Sequence, residues 1–420
     1  MKKRRLVVVG NGMAGMRTVE ELLRLAPDLY DITVFGAEPH PNYNRILLSP
    51  VLTGEQTLRD IVLNDLDWYA KNGITLHLGR SIAQINRSRR EVIADDGSVT
   101  PYDRLLLATG SSPFVLPVPG KDLEGVITFR DIRDVNLMIE AAGRLKRAVV
   151  IGGGLLGLEA ANGLASRGMD VSVVHLGEAL LDRQLDGTAA SLLQKSLRDR
   201  GLNFLMGRET DAILDNGHGA VGGIRFKDGT EIETDLVVMA VGIRPNTGLA
   251  RAAGIHTERG IVVNDTMQTF DPAIYAVGEC VSHRGIAYGL VAPLFEQAKV
   301  AANHLAMFGI GRYAGSATST KLKVTGIDLF SAGDFLGGPH TEVITLADYL
   351  GGVYKKLVIQ DGKLVGACLY GDTLDGAWYL RLIREGTPIA ALREQLMFGE
   401  DVGGQAGQDR APALALALQE

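Results

Sequence analysis

A strand-like apolar run that opens into the spacing GxGxxG occurs twice in this chain, and any fold must accommodate both copies. Leu6-Val-Val-Val9 leads directly into Gly10-Asn11-Gly12-Met13-Ala14-Gly15. A stretch with Val19, Leu22, Leu23 and Ala26 at helical spacing follows, and a second apolar run, Ile32 to Phe35, closes the unit. Strand, glycine loop, helix, strand is the context in which the motif reads as a dinucleotide-binding fingerprint. Gly10 permits the tight turn, Gly12 lets the backbone approach a pyrophosphate, and Gly15 lets helix and strand pack closely. Met13 and Ala14 fall where a helix offers free N–H groups to phosphate charge. Glu38, just past the second strand, is the candidate acceptor for a ribose 2′-hydroxyl, against the plainer reading of a solvated loop carboxylate.

The pattern returns with Ala148 to Ile151, then Gly152-Gly153-Gly154-Leu155-Leu156-Gly157, a helix through Ala165 and a closing strand Val171 to Val174. A single-cofactor dehydrogenase needs one fingerprint. Two imply two dinucleotides, one held and one exchanging, and the natural pair is FAD with NADH or NADPH. His175 stands where a ribose-binding acid often sits. No carboxylate there repels a 2′-phosphate, and no arginine immediately beside it attracts one. Glu178 and Arg183 pull in opposite directions, so either nicotinamide donor stays open, with a slight lean to NADH. His175 can equally be a loop residue with no cofactor contact.

The 420-residue length suggests two or three domains, and 46% apolar with 22% charged residues is ordinary for a soluble protein. A formal charge of −6 lacks the basic excess that marks nucleic-acid binding. Lys2-Lys3-Arg4-Arg5 before Leu6 imitates a secretion signal, but the run breaks at Gly10-Asn11-Gly12 without a convincing cleavage site. The apolar stretch Ala148 to Ala165 is interrupted by glycines and Glu159, which argues against a membrane span. Two distant cysteines, Cys280 and Cys368, make a disulfide framework improbable and fit a reducing cytoplasm. Metal-ligand spacing is absent, and His40 and His283 stand alone.

Further fragments gain weight from their order. Leu105 to Ala108 runs into Thr109-Gly110, and a near copy, Val237 to Val241, runs into Gly242 and Pro245-Asn246. Each looks like a strand that leaves one nucleotide fold and carries the chain toward the other. Ala273 to Val277 ends in Gly278-Glu279, a strand end suited to a ribityl or ribose hydroxyl. Pro293 is expected to open a helix, Leu294 to Ala306, whose N-terminus would face the flavin N1/O2 edge.

With Tyr43-Asn-Arg45-Ile-Leu-Leu-Ser49, Val173-Val-His175-Leu, Asp182-Arg183-Gln-Leu-Asp186, Gly278-Glu279-Cys280, Tyr288-Gly-Leu-Val-Ala-Pro293 and Leu322-Lys-Val-Thr-Gly-Ile-Asp-Leu329 added, the chain resembles the pyridine nucleotide-disulfide oxidoreductase superfamily. More closely it resembles the N-terminal flavoprotein half of the large subunit of bacterial NAD(P)H-dependent nitrite reductases. It is also similar to the electron-transfer subunits of assimilatory nitrate reduction. The likeness runs over roughly residues 4 to 400. It implies an α/β chain with two nested Rossmann-like FAD and NAD(P) domains plus a smaller C-terminal α+β domain. The FAD domain would take 1–112 and 244–312, the NAD(P) domain 113–243 and the C-terminal interface domain 313–400. The tail 401–420, rich in Gly, Ala and Gln, is expected to be disordered.

The resemblance assigns FAD contacts to Gly10, Gly12, Gly15, Glu38, Arg45, Thr109, Gly110 and Glu279, with Met13, Ala14, Gly278 and Pro293 beside them. It assigns NAD(P)H contacts to Gly152, Gly154, Gly157 and Glu159, with Leu155, Leu156, His175 and Gly242 nearby. Glu159 would begin a helix and hold the nicotinamide carboxamide, unless it is an ordinary first-turn carboxylate.

What is missing narrows the chemistry. No CxxC or CxxxxC pair exists, and no thiol stands at Ser49-Pro50, where peroxidase-type relatives carry one. The Leu-Ser-Lys of ferredoxin and rubredoxin reductases is here Leu48-Ser49-Pro50, without the lysine. Cys280 and Cys368 read as buried structural thiols. Electrons must therefore leave for a one-electron partner, an iron–sulfur or haem protein such as a nitrite or nitrate reductase component. The alternatives are a ferredoxin, rubredoxin or haem-protein reductase outside nitrogen metabolism, an NADH oxidase, and a redox-sensing flavoprotein. In the C-terminal part, Tyr354 to Ile359 and Lys363 to Tyr370 flank Gln360-Asp361-Gly362, a hairpin signal. This domain serves a homodimer or partner docking in the superfamily, although Trp378, Tyr379 and Leu382 read better as core.

Overall fold

The computed structural model describes residues 3–316, 319–324 and 326–400. The expected disorder of 401–420 lies outside the described residues. Two compact units form. One takes the chain up to Phe114, then Arg130–Met138 and Gly242–Ser316; the other takes Val115–Phe129, Ile139–Val241 and the C-terminal segment.

The first unit is built on a five-stranded parallel sheet in the order Ile274–Ala276, Arg104–Leu107, Arg4–Val9, Tyr30–Gly36, Thr75–Leu78. Leu6, Val8 and Leu105 to Leu107 are fully buried. A parallel sheet covered on both faces asks for continuous apolar runs instead of alternation, and these strands supply them. The helices Met13–Leu25 and Val291–Leu305 pack on one another. The second presents Ala298, Ala301 and Ala302, small enough for close approach. It begins at Val291, two residues before Pro293, and ends at Leu305. Pro293 is thus its third residue and does not open it. The ring is harmless there because the first four N–H groups of a helix have no intrahelical acceptor.

The second unit repeats the plan, with parallel strands in the order Val126–Thr128, Leu236–Met239, Arg147–Ile151, Asp170–His175, Asn203–Met206. The helix Leu155–Ser166 packs against Arg147–Ile151 and Asp170–His175 through Gly157, Ala160, Ala161 and Gly163. The same unit carries a five-stranded antiparallel sheet in the order Ser319–Val324, Ile327–Gly333, Lys363–Tyr370, Val353–Gln360, Glu342–Asp348. Its central hairpin turns at Asp361 and Gly362, with φ of +49° and +69°, the left-handed pair that a tight two-residue turn demands. Trp378, Tyr379 and Leu382, on the helix Gly376–Glu385, are buried against Phe330, Leu357 and Leu369, so they are core. Tyr354 donates to Asp186 Oδ2 at 2.6 Å, and that carboxylate also accepts from the backbone of Ala189 to cap the helix Gly187–Arg198. Cys280 and Cys368 are buried free thiols. No helix among the described residues is long and apolar enough to cross a membrane.

Candidate functional site

In the first unit the site begins where Arg4–Val9 ends. Gly10 has φ of +115°, and a Cβ on it would lie 2.1 Å from the carbonyl oxygen of Ala108. A Cβ on Gly15 would lie 2.7 Å from the Gly10 carbonyl oxygen. Packing within the protein therefore requires both glycines. It does not require Gly12, whose φ of −88° suits any residue and whose Cβ would meet nothing within 4 Å. Open space at the middle glycine is what an approaching phosphate needs. Gly12 caps the helix Met13–Leu25 without a side-chain bond, and no acid lies in its first turn. The first N–H groups, those of Met13 and Ala14 among them, keep their positive potential for a ligand.

Around this loop the charged residues converge. Glu38 accepts a 2.7 Å bond from the Tyr43 hydroxyl and pairs with Arg45. Arg45 also donates to the Arg130 carbonyl at 3.1 Å. A carboxylate has about four lone-pair positions, so Glu38 keeps capacity for a ribose hydroxyl. Burial raises the Tyr43 phenol well above its ordinary range, and Glu38 adds to that, so the phenol stays a donor. Thr109 donates to the Asn246 carbonyl at 2.8 Å, and the Asn246 amide returns a 2.9 Å bond to the Thr109 carbonyl. Gly110 follows with φ of +64°. Here the two connecting segments meet as antiparallel strands, Ser111–Pro113 against Ile243–Pro245. Gly242 accepts from the Phe114 N–H at 2.8 Å within this connection.

Glu279 accepts from Ser111 Oγ at 2.8 Å and pairs with Arg130. Arg130 was not a sequence candidate. Its only local signal is a cation directly before a helix start, in Phe129-Arg130-Asp131, inside a segment read as part of the other domain. Its Nε is buried and has no partner among the described residues. An orphaned buried cationic donor of this kind fits an anionic ligand. Gly10, Gly12, Gly15, Glu38, Arg45, Arg130 and Glu279 are thus suited to hold FAD.

The second unit mirrors the first. Gly152 has φ of +124°, and its Cβ would lie 2.3 Å from the Ala240 carbonyl oxygen. A Cβ on Gly157 would lie 1.9 Å from the Gly152 carbonyl oxygen, while one on Gly154 would meet nothing within 4 Å. Leu155 and Leu156 form the start of the helix, again with no acid in its first turn. Glu159 is the fifth residue of that helix, partly buried on the second turn, so it does not begin it. His175 turns its Nδ1 to accept the Gly153 N–H at 3.1 Å, which leaves the proton of the neutral ring on Nε2. That Nε2 is buried with no partner among the described residues. These residues fit a second dinucleotide, and the usual ribose-binding carboxylate is replaced by a ring that staples the glycine loop.

Comparison with known proteins identifies the family. The model of the pyridine nucleotide-disulphide oxidoreductase family matches residues 4–304, and that of the rubredoxin NAD+ reductase C-terminal domain matches residues 319–387. A Bacillus subtilis nitrite reductase [NAD(P)H] is 54% identical over 390 residues, which is 93% of this chain and 48% of that protein. The assimilatory nitrate reductase electron transfer subunit of the same organism is 49% identical over 403 residues, 96% of this chain and 52% of that protein. This chain thus spans about half the length of these two relatives. Among solved structures, the covalent putidaredoxin reductase–putidaredoxin complex is similar at a TM-score of 0.84 and 27% identity, covering 92% of this chain and 94% of that one.

Proposed function

This chain belongs to the pyridine nucleotide-disulphide oxidoreductase family, and from that premise we propose that it is an FAD-dependent NAD(P)H oxidoreductase. Its electrons go to a protein redox partner, an iron–sulfur or haem component of nitrite or nitrate reduction in the cytoplasm. The observation that carries the reading is the pair of open glycines, Gly12 and Gly154, each at a bare helix N-terminus. Two such cradles serve two dinucleotides.

When bound, FAD can take up two electrons as hydride and give them up singly. The chain's own residues do the rest. Gly12 and the helix start at Met13 receive the pyrophosphate, with Arg45 and Arg130 supplying countercharge. Glu38 takes a ribose hydroxyl and Glu279 a ribityl hydroxyl. The helix Val291–Leu305 has no acid in its first turn and no side-chain cap, so its N-terminus can stabilise negative charge developing on a reduced flavin. Gly152, Gly154 and Gly157 receive the nicotinamide dinucleotide, with Glu159 proposed to hold the carboxamide. His175 puts no carboxylate where one would repel a 2′-phosphate, which leaves NADH and NADPH both acceptable. Burial raises the Cys280 thiol and pushes Cys368 up to about 12, so neither is a thiolate at neutral pH. Both are buried free thiols, so no disulfide between them stands ready to take the electrons.

Stopped-flow reoxidation tests this. Protein reduced with NADH is mixed with a haem-containing nitrite reductase component, with a ferredoxin or rubredoxin, or with dioxygen. Fastest reoxidation by the nitrite reductase component is expected. Fastest reoxidation by rubredoxin or ferredoxin would favour a reductase outside nitrogen metabolism, a reading to which the C-terminal family match lends support. Fastest reoxidation by dioxygen would favour an oxidase.

A further inference from the structure

Gln297 lies on the inner face of the helix Val291–Leu305 and is 1% exposed. Its Oε1 accepts the Gly278 N–H at 2.9 Å. Gly278 has φ of +92°, and a Cβ on it would lie 2.9 Å from the Ala14 Cβ, so this peptide sits tight against the first fingerprint helix. The next residue is Glu279, whose carboxylate is held by Ser111 and Arg130. One short corner of backbone is therefore fixed on every side.

A buried primary amide is a costly way to satisfy one backbone N–H, because it must be ordered and its other end must also find a partner. Beside this helix, Tyr313 and Ser316 form a part-buried polar group, and burial raises the Tyr313 phenol far above its ordinary range. The Tyr313 hydroxyl lies 2.7 Å from Ser316 Oγ, and the Tyr288 hydroxyl accepts the Ser316 N–H at 3.2 Å. The role of the amide is thus its bond to the strand-end peptide, and satisfied buried polar groups of this kind rigidify the backbone they hold.

We propose that Gln297 is a positioning residue of the flavin site: by holding the Gly278 peptide it aims Glu279 at the ribityl chain of FAD. This rests on the reading that Glu279 contacts FAD. The Gln297 acceptor oxygen is the atom that matters, and its replacement by an apolar group leaves the Gly278 N–H unpaired and free to turn the corner.

The test compares three variants of the full chain by FAD dissociation constant and by melting of the FAD-free protein. Gln297→Glu keeps an acceptor at the same place and should bind FAD within about twofold of the parent. Gln297→Leu should weaken FAD by about tenfold or more. Gln297→Ala, where a water can enter, should fall between and stands in if the leucine variant does not fold. Rescue by glutamate separates positioning from bulk packing. If the leucine and alanine variants bind FAD as tightly as the parent while melting lower, Gln297 is structural only and the inference fails. A parent that binds no FAD at all would instead overturn the functional reading, a different outcome in the same experiment.

Discussion

Gly12 and Gly154 are glycines without a reason of their own. Their neighbours Gly10, Gly15, Gly152 and Gly157 are enforced by carbonyl oxygens closer than any Cβ tolerates, whereas these two face open space. Substitution should therefore separate folding from binding. Gly154→Val is expected to abolish NAD(P)H binding while FAD stays bound, and Gly12→Val to release FAD with little change in the melting of the FAD-free protein. Calorimetry and flavin absorbance read both; loss of FAD in Gly154→Val would contradict the assignment of the second cradle. Gly10→Ala and Gly152→Ala, by contrast, should lower folding stability by about 3–5 kcal/mol from strain and overlap together, visible in denaturant unfolding. The fingerprint glycines were legible in the sequence because turn, approach and packing each demand the same residue. The partner of each loop's middle residue was not. Asn11 packs over Gly36 in the first fold, while Gly153 leaves room for His175 in the second, so side chain and glycine have exchanged places across one contact. His175 drew notice as the residue after the second strand, and the structure adds that its ring accepts from the loop amide of Gly153. Arg130 was illegible for another reason: it reaches Glu279 from a distant segment, and no spacing rule links the two.

At the scale of elements, the strands were the easiest to read. Buried on both faces, they appear as unbroken apolar runs such as Leu105 to Leu107, bounded by glycine. Helix starts were harder. The proline at 293 drew the boundary to itself, although the chain turns helical at Val291. Some links between elements are charged and titrate. Arg5 donates to Asp103 from its backbone at 2.8 Å and from its guanidinium at 3.1 and 2.9 Å, tying the first strand to the residue that precedes Arg104–Leu107. These bonds hold the Asp103 carboxyl at about 2, below its ordinary 3.8. The folded value is depressed, so the stabilisation is present above the ordinary value and is lost as pH falls from about 4 toward about 2. Asp103→Asn should therefore lower stability at neutral pH and flatten the acid-unfolding curve across that window, as followed by circular dichroism. An unchanged acid limb would show that the pair does not link the strands energetically. Asp186 makes a second tie, between the helix Gly187–Arg198 and the strand Val353–Gln360, through Tyr354 at 2.6 Å and Lys356 at 3.4 Å. Asp186→Ala removes a helix cap and the acceptor of the buried Tyr354 hydroxyl, and should cost roughly 2–4 kcal/mol in urea unfolding.

For the whole molecule, the repeat of one plan was legible from two fingerprints and two returning strands, and both sheets place the fingerprint strand at the centre between the returning strand and the strand that closes the unit; they differ at one edge, filled by the late strand Ile274–Ala276 in the first and the early strand Val126–Thr128 in the second. The C-terminal sheet was legible only as one hairpin, since its other strands alternate too weakly to stand out from loops. The exit of electrons remains the part that rests on chemistry that is absent from the chain, namely a reactive thiol pair. The central claim is that this chain holds a flavin reducible by a nicotinamide donor. An anaerobic absorbance titration of the purified protein, first with NADH and then separately with NADPH, tests it most directly. The account predicts a yellow protein whose flavin absorbance bleaches with about one equivalent of donor and returns when a one-electron acceptor protein is added. A colourless protein that takes up no FAD on reconstitution would contradict it, and both glycine cradles would then have to hold other nucleotides.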